Sequence, residues 1–463
     1  MPIVQTARAA PAGDGCFFSL TEHFMTRTRS SLPILMTLLI IGAVAAGAYF
    51  FLFRDLTGPS LALSPDTSRV GPAQTLTARI ADPSGVRRVK ITVRRNTQSL
   101  VVLNQEFSDS ATRRDVSFTL RDAKLPEGSF ELEIRAYDGS YAGFGKGNSS
   151  TLTLPMRLDS QPPRIAVKTV PPGIRRGGSA LIVYTVSEDV KESGVRVGDF
   201  FFPGHRQPNG AFACLFPFPY TMSATSFSPE IMARDMADNV TSSRLLVNIQ
   251  NRGFKADTVS IGDSLLSAKA DELAGLCPDR DNPLDQYLCV NTKVRRENDA
   301  KLLELGQTSS PGFFAAPYLK RLPRSAVKAG FGDFRTYLFN GEKIDEQTHT
   351  GLDLASVAHA DIPAAQAGRV IFTGYLGIYG NMVLVDHGLG LMTLYAHMSE
   401  ILTEPGAEVQ AGGILGKTGT TGMAVGDHVH FGVLVGGLPV NPIEWLDAAW
   451  VRDNIVRRLA VDL

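Results

Sequence analysis

Cysteine is scarce: four residues in a chain of 463. That excludes a disulfide-stapled scaffold and a four-cysteine metal site in each domain. An excess of either charge is missing too. Lys+Arg and Asp+Glu both number 46, and this zero balance withholds the basic footprint of a nucleic-acid binder, so no nucleic-acid partner is expected. Gly and Pro (44 and 27) make up about 15% of the chain, short of the ~25% that marks low-complexity disorder. Long apolar runs are absent except for one near the N-terminus. What remains is ordinary globular composition, 44% hydrophobic, enough at ~150 residues per domain for about three packed cores.

The exception is residues 32–53, which carry no charge. At ~1.5 Å per residue a helix there reaches about 33 Å, the thickness of a bilayer core. No polar face exists, which argues against a buried amphipathic helix. A cleaved export signal is the competing reading, with Arg27 and Arg29 as its basic region and Ala46-Gly47-Ala48 as a small-residue cleavage site. The apolar run continues past that point through Phe53 and favours an uncleaved anchor. Arg8, Arg27 and Arg29 precede the span, and Arg54 with Asp55 follow it. The positive-inside rule then predicts a single-pass membrane protein with a cytoplasmic N-terminus and its bulk in the periplasm or cell-wall space. Met25, just before Thr-Arg-Thr-Arg, is a second possible start. In an oxidising space Cys277 and Cys289 can pair, leaving Cys214 as a small buried apolar residue.

Residues 59–251 alternate with period two. Val89, Ile91 and Val93 form one apolar face, as do Phe130, Leu132, Ile134 and Ala136, while 181–186 is apolar on both faces. Turn signals such as Asp82-Pro83-Ser84-Gly85 and Pro171-Pro172-Gly173 separate these strands. Ile134-x-Ala136-x-Asp138 recurs as Ile231-x-Ala233-x-Asp235, an offset of 97. Two β-sandwiches of about 100 residues fit that spacing. Ala233-Arg234-Asp235-Met236-Ala237-Asp238-Asn239 resembles the closing strands of bacterial immunoglobulin-like domains. Arg87, Arg88, Lys90, Arg94 and Arg95 make one strand basic; pairing with Glu131 and Glu133 is the expected explanation.

The predicted organisation is mainly β: a cytoplasmic segment 1–31, a transmembrane helix 32–53, immunoglobulin-like sandwiches 59–158 and 159–251, a short helical connector 257–310, a third, antiparallel-β domain 312–447, and a tail 448–463. In the connector, Ile261, Leu265, Ala268, Leu273 and Leu276 suggest one helix, and Val294, Ala300, Leu303 and Leu305 another.

Six of the eight histidines fall in the last 115 residues. His349-Thr-Gly-Leu-Asp353 is an H-x-x-x-D and His428-Val-His430 an H-x-H, with His397 between them. On an extended strand, positions i, i+2 and i+4 share a face. Two imidazoles and a carboxylate with a fourth position left for water form an open zinc site of the catalytic kind. His359 and His387 lack such partners and read as ordinary loop histidines. Ala411–Thr418 fits a relaxed phosphate-loop pattern, but Gly419, Gly422 and Gly426 forbid the helix that such a loop must open.

The order of these pieces resembles the M23 (LytM, lysostaphin-like) zinc endopeptidases. Phe331-Gly-Asp-Phe-Arg335, Ala367-Gly-Arg-Val370, Tyr379-Gly-Asn-Met-Val383, Gly416-Lys-Thr-Gly419 and Val440-Asn-Pro442 stand where that family has its other motifs, over roughly 130 residues. Asp427 and Gly432 depart from the family's common Pro and Glu. The resemblance implies that His349, Asp353 and His430 hold the zinc, with His397 and His428 as catalytic groups beside it. One would act as base and the other at the oxyanion or leaving amine; the sequence does not say which. It implies peptidoglycan stem or cross-link peptides as substrate, in cell-wall remodelling. The alternative is a non-catalytic LytM-like regulator that activates other wall hydrolases, and the sandwiches offer a surface for a protein partner. In some relatives a segment outside the core supplies a fourth zinc ligand and keeps the enzyme latent, a role for which Glu297, Asn298 and Asp299 are positioned.

Overall fold

The structure, a computed structural model, describes residues 32–52, 55–313 and 318–460. Cys16, Arg27, Arg29 and the alternative start at Met25 lie outside the described residues. The apolar run forms one helix, Leu32–Leu52, long and apolar enough to cross a membrane. From Leu32 to Tyr49 its side chains are exposed all round, Leu32 at 65% and Leu39 at 67%, as a helix without a polar face must be in the absence of an apolar surround.

Residues 60–158 form a two-layer sandwich. Ser60–Ser64, Leu76–Ala81 and Arg113–Phe118 make a three-stranded sheet. Arg69–Val70, Ser149–Leu158, Gly128–Asp138, Val86–Arg95 and Gln98–Glu106 make a five-stranded one, in that order. Their facing side chains, Val89, Ile91, Leu132 and Ile134 among them, form a core that belongs to this unit alone. The basic strand is held as its charges require. Arg94 pairs with Glu133 at 2.5 Å, Arg88 lies 4.0 Å over the Tyr137 ring, and Arg95 donates to the Pro126 and Glu127 carbonyls.

The repeated Ile-x-Ala-x-Asp has a structural purpose. Asp138 accepts the backbone N–H and side-chain amide of Asn148 at 2.7 and 2.9 Å, and the same amide reaches the Asp55 carbonyl at 3.1 Å. Asp235 does the same with Asn239, at 2.9 Å for both bonds, whose amide holds the Asp159 carbonyl at 2.9 Å. Each buried aspartate thus fastens the linker that leads into its own sandwich.

The second sandwich pairs a sheet of His205–Arg206, Phe212–Pro217, Ser179–Val186 and Ile165–Thr169 with one of Phe200–Pro203, Val190–Val197, Glu230–Asp235 and Val240–Arg244. Leu181, Ile182, Val183 and Tyr184 are all buried, so that strand is covered on both sides. Cys214 is buried among them, and burial pushes its thiol up to about 12.

Beyond it stands an eight-stranded, all-antiparallel sheet whose path runs Ala326–Ala329, Leu352–Ala355, Val429–Val435, Leu391–Ala396, Asn381–Asp386, Gly368–Tyr375, Glu408–Val409, with Leu438–Val440 pairing off Val429–Val435. Its side chains alternate between two cores. Val383, Val385, Leu391, Val433 and Val435 join one cluster with Leu181, Phe216 and Trp445. Met382, Leu384, Met392, Leu394 and Leu434 join the other with Tyr287, Val294 and Leu302 of the connector. The second sandwich shares the first of these cores and the connector shares the second.

The connector is less simply helical than its periodicity predicts. Ile261 lies on a strand, Ala256–Ile261, that runs parallel to Phe334–Phe339 in a sheet completed by Glu342–Thr348. Short helices follow at Asp263–Ala268, Ala270–Leu276 and Pro283–Cys289, the last running through a π turn into Arg295–Gly306. Cys277 and Cys289 form a disulfide. The segment expected as a tail is also helical: Ala448–Val451 continues through 452–456 to Leu459, with Val451 and Ile455 buried. Those apolar residues have the second sandwich to pack on, and Arg458 donates to the Val170 carbonyl at 2.6 Å.

Candidate metal centre

Asp353 and His430 sit directly opposite one another on neighbouring antiparallel strands, which puts their side chains on one face about 5 Å apart at the backbone. His349 reaches them differently from the simple strand argument. Residues 349–351 leave the extended conformation before Leu352–Ala355 begins, so a bend rather than the i, i+4 repeat brings the imidazole round. Gly351 makes that bend possible. A Cβ there would stand 2.6 Å from Nε2 of His430 and 2.7 Å from the Phe431 carbonyl oxygen.

The three donor atoms form a small triangle. His349 Nε2 is 2.8 Å from Asp353 Oδ1 and 3.0 Å from His430 Nδ1, and His430 Nδ1 is 3.0 Å from the same Oδ1. Ligands ~2.0–2.1 Å from a tetrahedral ion lie about 3.3 Å apart, so the set needs only a few tenths of an ångström of expansion to grip one. The tautomer of His349 suits a metal ligand. Its Nδ1 donates to the Gly330 carbonyl at 2.8 Å, which leaves the Nε2 lone pair free. Arg335 Nη2, 3.4 Å from Asp353 Oδ2, holds the carboxylate's second oxygen. Burial favours the neutral acid, but the close contacts with His349, His428 and His430 outweigh it and keep the Asp353 carboxyl well below its usual range.

Two further imidazoles stand beside the triangle. His397 follows Leu391–Ala396 with a left-handed backbone, φ 64°, an uncommon conformation for a residue with a Cβ. Its Nδ1 donates to the Thr421 carbonyl at 2.8 Å, and its ring centre is 4.9 Å from that of His428. His428 donates from Nδ1 to the Gly426 carbonyl at 2.6 Å, with Nε2 3.5 Å from Asp353 Oδ1. Burial, reinforced by the neighbouring imidazoles, pushes His397 down to about 3. Burial also lowers His428, but its hydrogen bond to Asp353 and that carboxylate's charge overcome it and raise the group. All five sequence-derived residues line one cleft of about 450 Å³.

The two remaining histidines of the region differ from one another. His359 is an exposed loop residue. His387 is not a loop histidine in the ordinary sense: it is fully buried, bonded to the Ala367 carbonyl at 2.7 Å and to Thr393 Oγ1 at 2.8 Å. Both nitrogens are satisfied, so it is a structural polar link in the core. The proposed latency residues do not reach the donor atoms. Glu297 is exposed, Asn298 accepts from Ile378 N at 2.9 Å, and Asp299 is not among the carboxylates grouped with these donor atoms. Among the described residues the donor group at this cleft consists of His349, Asp353 and His430. Arg335, Gly351, Gly330 and Thr421 complete the surroundings. Sequence reasoning gives them no role, although Arg335 closes the Phe331–Arg335 motif.

Residues 347–442 match Peptidase family M23. This segment is an M23 peptidase domain. The M23 domain is 39% identical over 95 residues to the DD-carboxypeptidase/endopeptidase Mpg of Neisseria meningitidis, covering 20% of this chain and 22% of that protein. It is 35% identical over 96 residues to the peptidoglycan DD-endopeptidase ShyA of Vibrio cholerae, covering 21% and 22%. The chain therefore aligns with about a fifth of the length of these curated relatives. A crystal structure described as a putative peptidase M23 from Pseudomonas aeruginosa covers 60% of this chain and 96% of its own, at 22% identity and a TM-score of 0.37.

Proposed function

We propose that this protein is a membrane-anchored zinc endopeptidase that hydrolyses peptide bonds in the stem or cross-link peptides of peptidoglycan. The observation that carries the reading is the triangle of His349 Nε2, Asp353 Oδ1 and His430 Nδ1 with two non-ligand imidazoles beside it. Two imidazoles and one carboxylate suit zinc, and three protein ligands leave a position open. Bound there, zinc supplies Lewis acidity towards a water and the scissile carbonyl. His397 and His428 each tether Nδ1 to a backbone carbonyl and keep Nε2 for the cleft, where one takes the water's proton and the other faces the oxyanion or the leaving amine. Arg335 keeps the Asp353 carboxylate oriented. The relatives' names support peptidoglycan as the substrate.

We read the helix Leu32–Leu52 as the anchor, with the N-terminus in the cytoplasm and the rest in the periplasm or wall space; the Cys277–Cys289 disulfide suits an oxidising compartment. The sandwiches are read as immunoglobulin-like on their strand order, with the parallel pairing of Arg69–Val70 on Ser149–Leu158 joining the second strand to the last. Digestion of purified peptidoglycan by the full chain, with and without a chelator, tests the reading. Soluble peptide fragments should appear only without chelator, and His430→Ala should release none. Undiminished release by His430→Ala would sink the assigned site.

A further inference from the structure

The M23 region is acidic as a whole, with 8 Lys+Arg against 13 Asp+Glu over residues 313–450. Its cleft has the opposite character. Four cationic side chains line it, Lys269, Arg295, Lys328 and Arg335, against two carboxylates, Asp353 and Asp427. Both carboxylates are otherwise engaged. Asp353 faces the imidazoles, and Asp427 accepts from Thr418 Oγ1 at 2.6 Å and from His359 N at 3.2 Å. Lys269 is committed to Glu272 at 2.8 Å and Arg335 to Asp353 at 3.4 Å. Arg295 and Lys328 form no ion pair among the described residues. Arg295 is half-buried and held in place from behind: Nε donates to the Asn291 carbonyl at 3.2 Å and Nη2 to Asn291 Oδ1 at 2.6 Å. Asn291 is fixed in turn by donating to Asp345 Oδ2 at 2.7 Å. Asp299, one turn on along the same helix, acts on the Arg295 charge without forming an ion pair with it; a guanidinium braced on neutral oxygens and facing a cleft is pre-organised for an anion. Arg295, Asp345 and Arg335 all lie close enough to the Tyr287 hydroxyl to act on its charge, so they share one part of the cleft wall.

We propose that this wall is a carboxylate-recognition subsite, in which Arg295, with Lys328 adding to the field, binds a free carboxylate of the substrate peptide. The chain would therefore select stem peptides with free carboxyl groups over amidated or uncharged ones such as oligoglycine. Arg295 comes from the connector, so the connector is part of the substrate site as well as a spacer. A positive cleft in an acidic domain focuses the field on the cleft mouth and directs the anionic end of a peptide inward. The inference rests on the endopeptidase reading for its substrate, and its test does not depend on turnover.

The probe is an uncross-linked stem tetrapeptide, a reaction product that the enzyme does not consume, made with free carboxyl groups and again with those groups amidated. Binding of both to the metal-loaded full chain in detergent micelles is measured by calorimetry. The free-carboxyl form should bind at least tenfold more tightly. Arg295→Gln should cut that preference to below threefold while leaving the affinity for the amidated peptide unchanged, and Arg295→Lys should restore part of it. Equal affinity for the two peptides, binding of neither, or an Arg295→Gln effect of the same size on both would overturn the proposal. Preference without wall hydrolysis would remove the endopeptidase reading and leave the subsite standing; hydrolysis without preference would do the reverse.

Discussion

At the scale of single residues the centre depends on how imidazoles are held, and the holders were the least legible part. An H-x-H and an H-x-x-x-D announce donors, and the strand register sets Asp353 opposite His430. The backbone carbonyls of Gly330 and Thr421 that fix His349 and His397 carry no side-chain signature at all. Gly351 has a signature only in three dimensions. Gly351→Ala should push the His430 ring away and weaken zinc binding ~10–100-fold, the usual cost of disturbing a ligand's support, read by competition with a fluorescent chelator. An unchanged affinity would show that the close approach does not matter. Asp235→Ala should cost about 1–3 kcal/mol by stranding the Ala237 and Asn239 donors it satisfies, measured by denaturant unfolding, with peptide hydrolysis retained at temperatures where the chain stays folded.

At the scale of elements, the helix Ala270–Leu276 braces the loop that positions His397. Lys269, at its N-terminal boundary, donates to the Thr420 carbonyl, and Glu272 Oε1 accepts from Gly422 N at 3.0 Å. Between those two anchors lies Thr421, the partner of His397. Glu272→Ala should therefore lower kcat about tenfold with KM and bound metal nearly unchanged; a loss of metal instead would place the brace elsewhere. The disulfide ties that helix to Pro283–Cys289. Closing so short a loop contributes about 3 kcal/mol in the chain-entropy picture. The Cys277→Ala/Cys289→Ala pair should lose stability on that scale in denaturant unfolding, and no loss would mean the helices are held by packing alone. The connector also shows where periodicity misleads. Ile261 fits a helical stripe with Leu265, yet it belongs to a strand because Phe334–Phe339 offers it a parallel ladder, and pairing across 78 residues leaves no local trace.

At the scale of the whole molecule, the sequence reads as a string of separate domains, and alternation within each strand was enough to find the sandwiches. How they share cores was not readable, because an apolar residue does not say which partner covers it. The two-sided strand 181–186 was the one clue. Ser179, at the start of that strand's ladder, accepts from Trp445 Nε1 at 3.1 Å, and Asn441 N donates to the Gly177 carbonyl at 2.7 Å. The second sandwich, the connector and the M23 domain should therefore unfold together, and residues 60–158 separately. Phe216→Ala in the sandwich and Phe431→Ala in the M23 domain should each lower the same calorimetric transition, at a cost of about 3–5 kcal/mol, while Ile91→Ala lowers the other. Two different transitions for Phe216→Ala and Phe431→Ala would show that the shared core is not cooperative.

The most direct test of the central claim is stepwise return of zinc to chelator-treated full-length protein, with release of soluble fragments from purified peptidoglycan as the readout. Activity should be absent at the start, rise in proportion to added zinc and level off at about one ion per chain, and His349→Ala should neither bind the ion tightly nor recover. Hydrolysis before any zinc is added, or recovery by His349→Ala equal to that of the unaltered chain, would contradict the account.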